Sequence, residues 1–537
     1  MSLTYPIAFI IVALSVLLSI YISFYFRKHT RTTAAFYVAE GKIPWRINGM
    51  AMFGDYCSAA SFLGVAGAIS LMGVDGWWLA LGFFATWVAV LLLVAAPLKN
   101  AGKFTVGDVL GTRFGTSKGI RTVSMLTTIV LCTLYLVPQI VGAGHLFKLL
   151  LGWNYHTTVI VSGILITALV ILGGMRGTTF NQAVQGLILL AAMLILLISA
   201  IFIHFDGNIF NIIKTAKKMV PTVIAAKEIP EVVKNAPNYK AAVEAARQAL
   251  PDAPSALTPG VGLRDFWNQL SLVLGLFLGV LGLPHILIRF YTVRDAKAAQ
   301  KSIEFTIWGL AIFYSAVLFV GLAIMYALYP TLVNLVATGK KGMATNMAVP
   351  MFGQEIGGEF FLGIIAAGAL AAMLSTCTGL LITATTSIAH DLYASIFKPH
   401  SPDEERVSFA KKAVFVLAAI SILMAIWLKN QNVGMLVGMS FGIAASTFAP
   451  ALVLTVWWPR LTKQGVVWGM ATGLIVSLIF TFARFFGLKS ILGLPVLVNP
   501  ALYSAPIAFI VFIIASLVTK DTGEVEKFMA LAHRKRR

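Results

Sequence analysis

Charge is what this sequence has least of. Of its 537 residues, 12% are Asp, Glu, Lys or Arg and 58% are apolar. A soluble domain carries roughly 25% charged residues, so a water-facing surface of this size would be mostly hydrocarbon, and a soluble fold is excluded. Cysteine is scarce as well: Cys57, Cys132 and Cys377 all lie in apolar runs. They have neither disulfide-framework nor zinc spacing and read as small packing residues. The signatures of membrane-enzyme chemistry are also missing, with no HExxH helix, no nucleophile elbow and no P-loop. An enzyme is therefore not expected. A transporter-like sensor is the third class, but about 18 residues follow the last apolar run, too few for a kinase.

What is present is a series of apolar runs of about 20 residues, the signature of membrane-spanning helices rather than of a barrel's alternating strands of about 10. The sequence predicts an all-α integral membrane protein with about 13 transmembrane helices. They lie near 5–26, 47–73, 78–98, 120–151, 157–175, 181–205, 265–291, 305–334, 352–392, 410–428, 432–458, 465–487 and 502–519. Residues 6–26 are not read as a signal peptide, because no basic segment precedes them and Arg27-Lys28 follow. With the N-terminus outside, the inside loops hold 27 of the 41 Lys and Arg residues. Eight of the 14 outside fall in or beside one long loop, 206–264, and long loops translocate largely regardless of charge. This predicts a multi-pass inner (plasma) membrane protein with a cytoplasmic C-terminus. It also accounts for the net charge of +20 without nucleic acid. The tail His533-Arg534-Lys535-Arg536-Arg537 suits contact with anionic lipid.

Numbering the first span zero, spans one to five and six to ten form two halves of opposite direction, as in many secondary transporters. The predicted divisions are an extra N-terminal helix (1–30), a first five-helix repeat (31–206) and an extracellular or periplasmic loop insert (207–264). A second repeat (265–460) and two C-terminal helices with a basic cytoplasmic tail (461–537) follow. Within the insert, Tyr239 to Leu250 has the pattern of an amphipathic surface helix. The first helix of each half is interrupted by glycine. Span one carries Gly54, Gly64 and Gly67, and span six carries Gly275, Gly279, Gly282 and then Pro284. Glycine serves close helix packing in membranes. Paired breaks at matching positions of two halves, however, point to a binding site. There, freed carbonyls ligate hard cations and a half-helix N-terminus attracts anions.

Asp55 is the one carboxylate well inside an apolar span, about 8 residues or roughly 12 Å from its end. A charge there costs at least about 2.5–3.5 kcal/mol. It attracts a cation, carries a proton or holds the broken helix in place; a structural ion pair is the plainer reading. Ser375 and Thr376 in span eight either bond back to their own helix or offer hydroxyl oxygens to a cation. Gln139, after Pro138, has both donor and acceptor for a carboxylate or amide. His285 or Arg289 can attract an anion, though Arg289 reads rather as a positive-inside topology residue. Candidate substrate residues beside the two breaks are Asp55, Tyr56, Ser61, Gln139, Gly282 and His285.

Four segments together resemble the sodium:solute symporter family, closest to its cation/acetate (monocarboxylate) branch. They are Gly54 to Gly64 (GDYCSAASFLG), Gly173 to Thr179, Gly282 to Phe290 (GLPHILIRF) with Thr292-Val293, and Ser375-Thr376. The resemblance covers roughly residues 30–520. It implies a LeuT-like 5+5 inverted-repeat bundle that moves an acetate-like monocarboxylate into the cell with Na+ as coupling ion. It further implies one sodium between spans one and eight, on carbonyls of Gly54, Cys57 and Ala372 and hydroxyls of Ser375 and Thr376. Proton coupling through Asp55 is the alternative. Two positions depart from the family pattern. Gln182 stands where many members have an acid, and Asp55 lies one residue before the Asp of proline transporters, whose place Tyr56 takes. Oligomeric state is not legible in the chain.

A reporter fusion tests the orientation. Green fluorescent protein joined to the C-terminus is expected to fluoresce, and alkaline phosphatase at the same point to be inactive. The reverse pattern would overturn the charge argument.

Overall fold

The computed structural model describes residues 4–27, 32–115, 117–261, 265–429, 431 and 433–534. Residues 28–31, at the first predicted boundary, and 535–537, the end of the basic tail, lie outside them. The described chain is helical apart from a two-residue hairpin ladder, Ser490–Ile491 against Leu494–Pro495. Helix is what a bilayer demands, since hydrocarbon offers no partner to a bare N–H or C=O.

Eleven stretches among the described residues are long and apolar enough to cross a membrane. The difference from about thirteen lies in two long ones, each of which the sequence reads as two spans. Ala60–Ala101 contains Gly73 at φ +67°, and Tyr155–His204 contains Gly174 at φ +52° and ψ −162°. Fifty residues of straight helix would reach about 75 Å, more than twice a hydrocarbon core. The chain leaves helical geometry at Gly174, a conformation open essentially only to glycine.

Two boundaries are corrected. Span seven runs Ala296–Ala327, starting before 305, and a separate short helix Tyr329–Ala337 follows with Pro330 in its first turn. The predicted start of span eight at 352 falls in a preceding segment, which Gly357 and Gly358 break from the span itself. Past Ser387 the helix widens into π-type turns to Phe397.

Span ten, Val433–Trp457, is the most buried of the bundle, followed by spans three and eight. The first span, Pro6–Phe26, lies at the periphery and leaves Ile10, Leu14, Leu17 and Tyr21 exposed for lipid. It is held by small and polar contacts: Gly363 meets Ala8 without room for a Cβ, and Asn181 donates to Ser19 O and Ser23 Oγ.

The insert folds onto the bundle. Ile209–Lys218, Thr222–Glu228, Pro230–Lys234 and Tyr239–Ala249 are helices whose apolar faces (Ile212, Ala225, Val233, Ala246) are buried. Thr222 Oγ1 donates to Ser70 O at 2.8 Å and Val74 N to Ala256 O at 2.8 Å, which pins the insert to the end of span one.

Replacing Gly174 with Ala places a Cβ in a glycine-only conformation and is expected to cost about 1–3 kcal/mol. A thermal melt of purified protein unchanged by the substitution would contradict the turn.

Candidate functional site

Both predicted interruptions are present. Span one is helical over Trp45–Tyr56, leaves helical geometry at Cys57 (ψ 87°), and resumes at Ala60. Span six is helical over Phe266–Val280, breaks through Leu281–Leu283, and resumes at Pro284. A helix that stops strands the carbonyls of its last turn. Span eight supplies the partners. Ser375 Oγ lies 2.6 Å from Gly54 O, and Thr376 Oγ1 lies 2.6 Å from Asp55 O. Both hydroxyls also lie against Ala372 O, at 2.9 and 3.1 Å.

Five buried oxygens therefore meet in four contacts, and only two hydroxyl protons are available to fill them. Such a cluster is short of positive charge. Gly54 has no room for a side chain, because a Cβ would sit 2.3 Å from Gln182 O and 3.0 Å from Gly186. Cys57, the other expected carbonyl donor, is buried at the break with its amide on Phe53 O. The carbonyl that faces Thr376 is that of Asp55.

The Asp55 side chain points to span six. Arg289 Nε and Nη2 both lie 3.4 Å from Asp55 Oδ2, and both side chains are fully buried. Arg289 is thus not a topology residue, as the sequence suggested. It is counted at a span end, but the break in span six turns it into the bundle. Its Nη1 donates to Thr179 Oγ1 at 2.6 Å and its Nη2 to Gln182 Oε1. Gln182 Nε2 donates to Ser375 O at 2.8 Å. Gly379 makes room for the carboxylate, since a Cβ there would fall 2.3 Å from Asp55 Oδ1.

The candidate substrate residues divide. Gln139 Oε1 accepts from Ala59 N at 2.9 Å, the first amide beyond the break in span one, and its Nε2 is buried without a partner. One turn earlier, the ring of Tyr135 packs edge-on against His285 at 5.3 Å and against Phe441 at 5.5 Å. Neither nitrogen of buried His285 has a partner. Tyr56 joins the same group through Phe441, and its hydroxyl donates to Phe83 O at 2.6 Å. Ser61 lies farther off, hydrogen-bonded to Tyr314 Oη at 2.8 Å, with the Tyr314 ring stacked on Phe83. Gly282 packs against Ala444 O and Ala449 N and is not brought to these polar groups. Sequence reasoning missed Tyr135, Phe83, Tyr314 and Phe441. Tyr135 was the findable one, four residues before Gln139 on one helix face.

Asp108, His390 and Asp391 have ligand atoms within 4.8 Å of one another, a spacing that suits a metal ion. Arg121 Nη1, however, lies 2.7 Å from Asp108 Oδ1 and 2.5 Å from Asp391 Oδ1. A guanidinium already fills the cation's place, so the cluster reads as an ionic tie between the helix Val106–Phe114 and the ends of spans three and eight.

The family model described as "Sodium:solute symporter family" matches residues 36–473. An uncharacterized symporter, YwcA, of Bacillus subtilis is 37% identical over 473 residues, covering 88% of this chain and 85% of its own. A monocarboxylic acid transporter of Corynebacterium glutamicum is 35% identical over 531 residues, covering 96% and 90%. Among solved structures, a Na+-coupled sialic acid symporter superposes with a TM-score of 0.69 at 16% identity, covering 96% of this chain and 98% of that one. That likeness fixes the fold as LeuT-like.

Asp108 gives a signed pH dependence. Burial raises its pKa. The hydrogen bond and charge of His390, the charge of Arg121 and the amide of Phe104 outweigh it, holding the carboxyl well below the usual carboxylate range. A depressed pKa stabilises the fold above that range and loses its contribution as pH falls through the folded value. Asp108→Asn is expected to cost about 3 kcal/mol at neutral pH. The gap to the unsubstituted protein should narrow below about pH 4. Melts that differ equally at both pH values would refute the ionic role.

Proposed function

Because the chain belongs to the sodium:solute symporter family, we propose that it carries a small monocarboxylate, acetate-like in size, across the membrane together with sodium by alternating access. The observation that carries this reading is the proton-poor oxygen cluster of Gly54, Asp55, Ala372, Ser375 and Thr376. A desolvated sodium ion would supply the missing positive charge. Cys57, at the break, completes the expected ligand set.

The substrate would lie between the two breaks. Gln139 Nε2 and the His285 ring, both buried without partners, are matched by a carboxylate's acceptors. The aromatic rings of Tyr135, Tyr56 and Phe441 suit a short alkyl chain. The monocarboxylic acid transporter among the relatives supports this substrate class. So does the insert: Lys214, Lys217, Lys218 and Lys240 line a cavity of about 560 Å³, and clustered positive charge raises the local concentration of anions. Sodium need only shift the population between the two states by its differential affinity for them. One sodium with one monocarboxylate moves no net charge, so the sodium concentration gradient supplies the work at that ratio.

Labelled-acetate uptake into vesicles tests the reading and separates transport from sensing. Replacing sodium by choline is expected to abolish uptake. Ser375→Ala and Thr376→Ala are each expected to raise the half-saturating sodium concentration about ten-fold, or about 1.4 kcal/mol. Sodium dependence unchanged in both variants would remove the assigned site.

A further inference from the structure

Asp55 is joined to the oxygen cluster twice over. Its own carbonyl faces Thr376, and its neighbour's, Gly54, faces Ser375. A bare carboxylate in this position would take up a second cation or a proton. Instead the Arg289 guanidinium stands behind the cluster, fully buried, with two nitrogens on Asp55 Oδ2. A second route closes the ring. Arg289 donates to Gln182, which holds Ser375 O, and Ser375 reaches Gly54 O. Spans one, five, six and eight are thereby interlocked around one resident positive charge.

We infer that Arg289 is a built-in counter-cation that sets the ion count of the cycle. It neutralises Asp55, so the cluster takes a single sodium ion and Asp55 carries neither a proton nor a second cation. The inference rests on the sodium site proposed above and makes Asp55 and Arg289 positioning residues. An arginine stays protonated throughout, so the counter-charge itself does not titrate across the working pH range. The other titratable groups around the pair are Cys132 on span three, Cys377 on span eight, Tyr135 on span three and His285 one turn from Arg289. None of the first three is a cation that could replace Arg289. His285, without a hydrogen-bond partner, lies within the field of the Arg289 charge.

Sodium binding to the purified full chain in lipid nanodiscs, read by titration calorimetry and by the sodium-dependent shift in melting temperature, tests this without any substrate. The native protein is expected to bind with a Hill coefficient of about one and an affinity flat across neutral pH. Asp55→Asn leaves the guanidinium bare behind the cluster and should weaken sodium about ten-fold or more. Arg289→Gln frees the carboxylate. The Hill coefficient should then rise toward about two, or the sodium affinity should become pH-dependent. The double variant Asp55→Asn/Arg289→Gln should regain most of the affinity lost in Asp55→Asn.

A double variant no better than Asp55→Asn overturns the inference. So does an Arg289→Gln protein with native affinity, one site and no pH dependence. If Arg289→Gln does not fold, the comparison of Asp55→Asn with the double variant decides alone. Native protein that shows no sodium signal, or a sodium affinity unchanged in Ser375→Ala, sinks the sodium site itself. An affinity weakened in Ser375→Ala as expected, with no recovery in the double variant, sinks only the counter-cation.

Discussion

A peptide carbonyl inside a bilayer has to be satisfied by protein, and the interruption of span one leaves several without their helical partners. The hydroxyls of Ser375 and Thr376 meet two of them, and the rest of the site follows from that meeting. Span eight must pass close enough to span one for the contacts to form. Gly379 against the Asp55 carboxylate is the clearance that lets it do so, while Gly54 against Gly186 lets span five pack as close. The same stop in the helix exposes the amide of Ala59, which Gln139 takes. Cation-seeking oxygens and anion-seeking donors thus arise on opposite sides of one short stretch of irregular backbone.

Burying ionic groups here is not a route to stability. Pairs such as Asp55–Arg289 and Arg121 between Asp108 and Asp391 roughly recover their desolvation cost, while loss of one partner is strongly destabilising. What such pairs supply is definition. Asp55–Arg289 joins span one to span six at the two breaks, and the Asp108 cluster ties the short helix Val106–Phe114 to spans three and eight. The groups in each network share partners, so substitutions within one of them will not act additively.

Much of this was legible in the sequence. The bilayer-length runs gave the class, and the glycine and proline punctuation of spans one and six marked where both helices break. Adjacent hydroxyls in an otherwise apolar span marked the place opposite. Arg289 was misread because charge counting treats an arginine near a span end as cytoplasmic. Its partner lies 234 residues away in the chain, and no local pattern reports that. The lone carboxylate was itself the clue, since a buried Asp needs a counter-charge from some other helix. The aromatic group around Tyr135 was hidden for a different reason: rings in apolar spans are common, and only the crossing of spans one, two, three, six and ten gathers them. The span near 305 starts earlier because the charged segment 296–304 continues its helix, and the start at 352 falls short of the break at Gly357 and Gly358 because the segment before that break is helical too.

The insert is anchored to span one just beyond its broken segment, through Ser70 and Val74, and its Val220 O accepts from Tyr329 in the short helix after span seven. The upper half of span one therefore cannot tilt without dragging this cap or tearing those bonds. Any movement of that half-helix is thus passed on to the cap. A fluorophore pair placed on the insert and on the peripheral first helix would register such movement from outside the binding region, leaving the binding groups untouched.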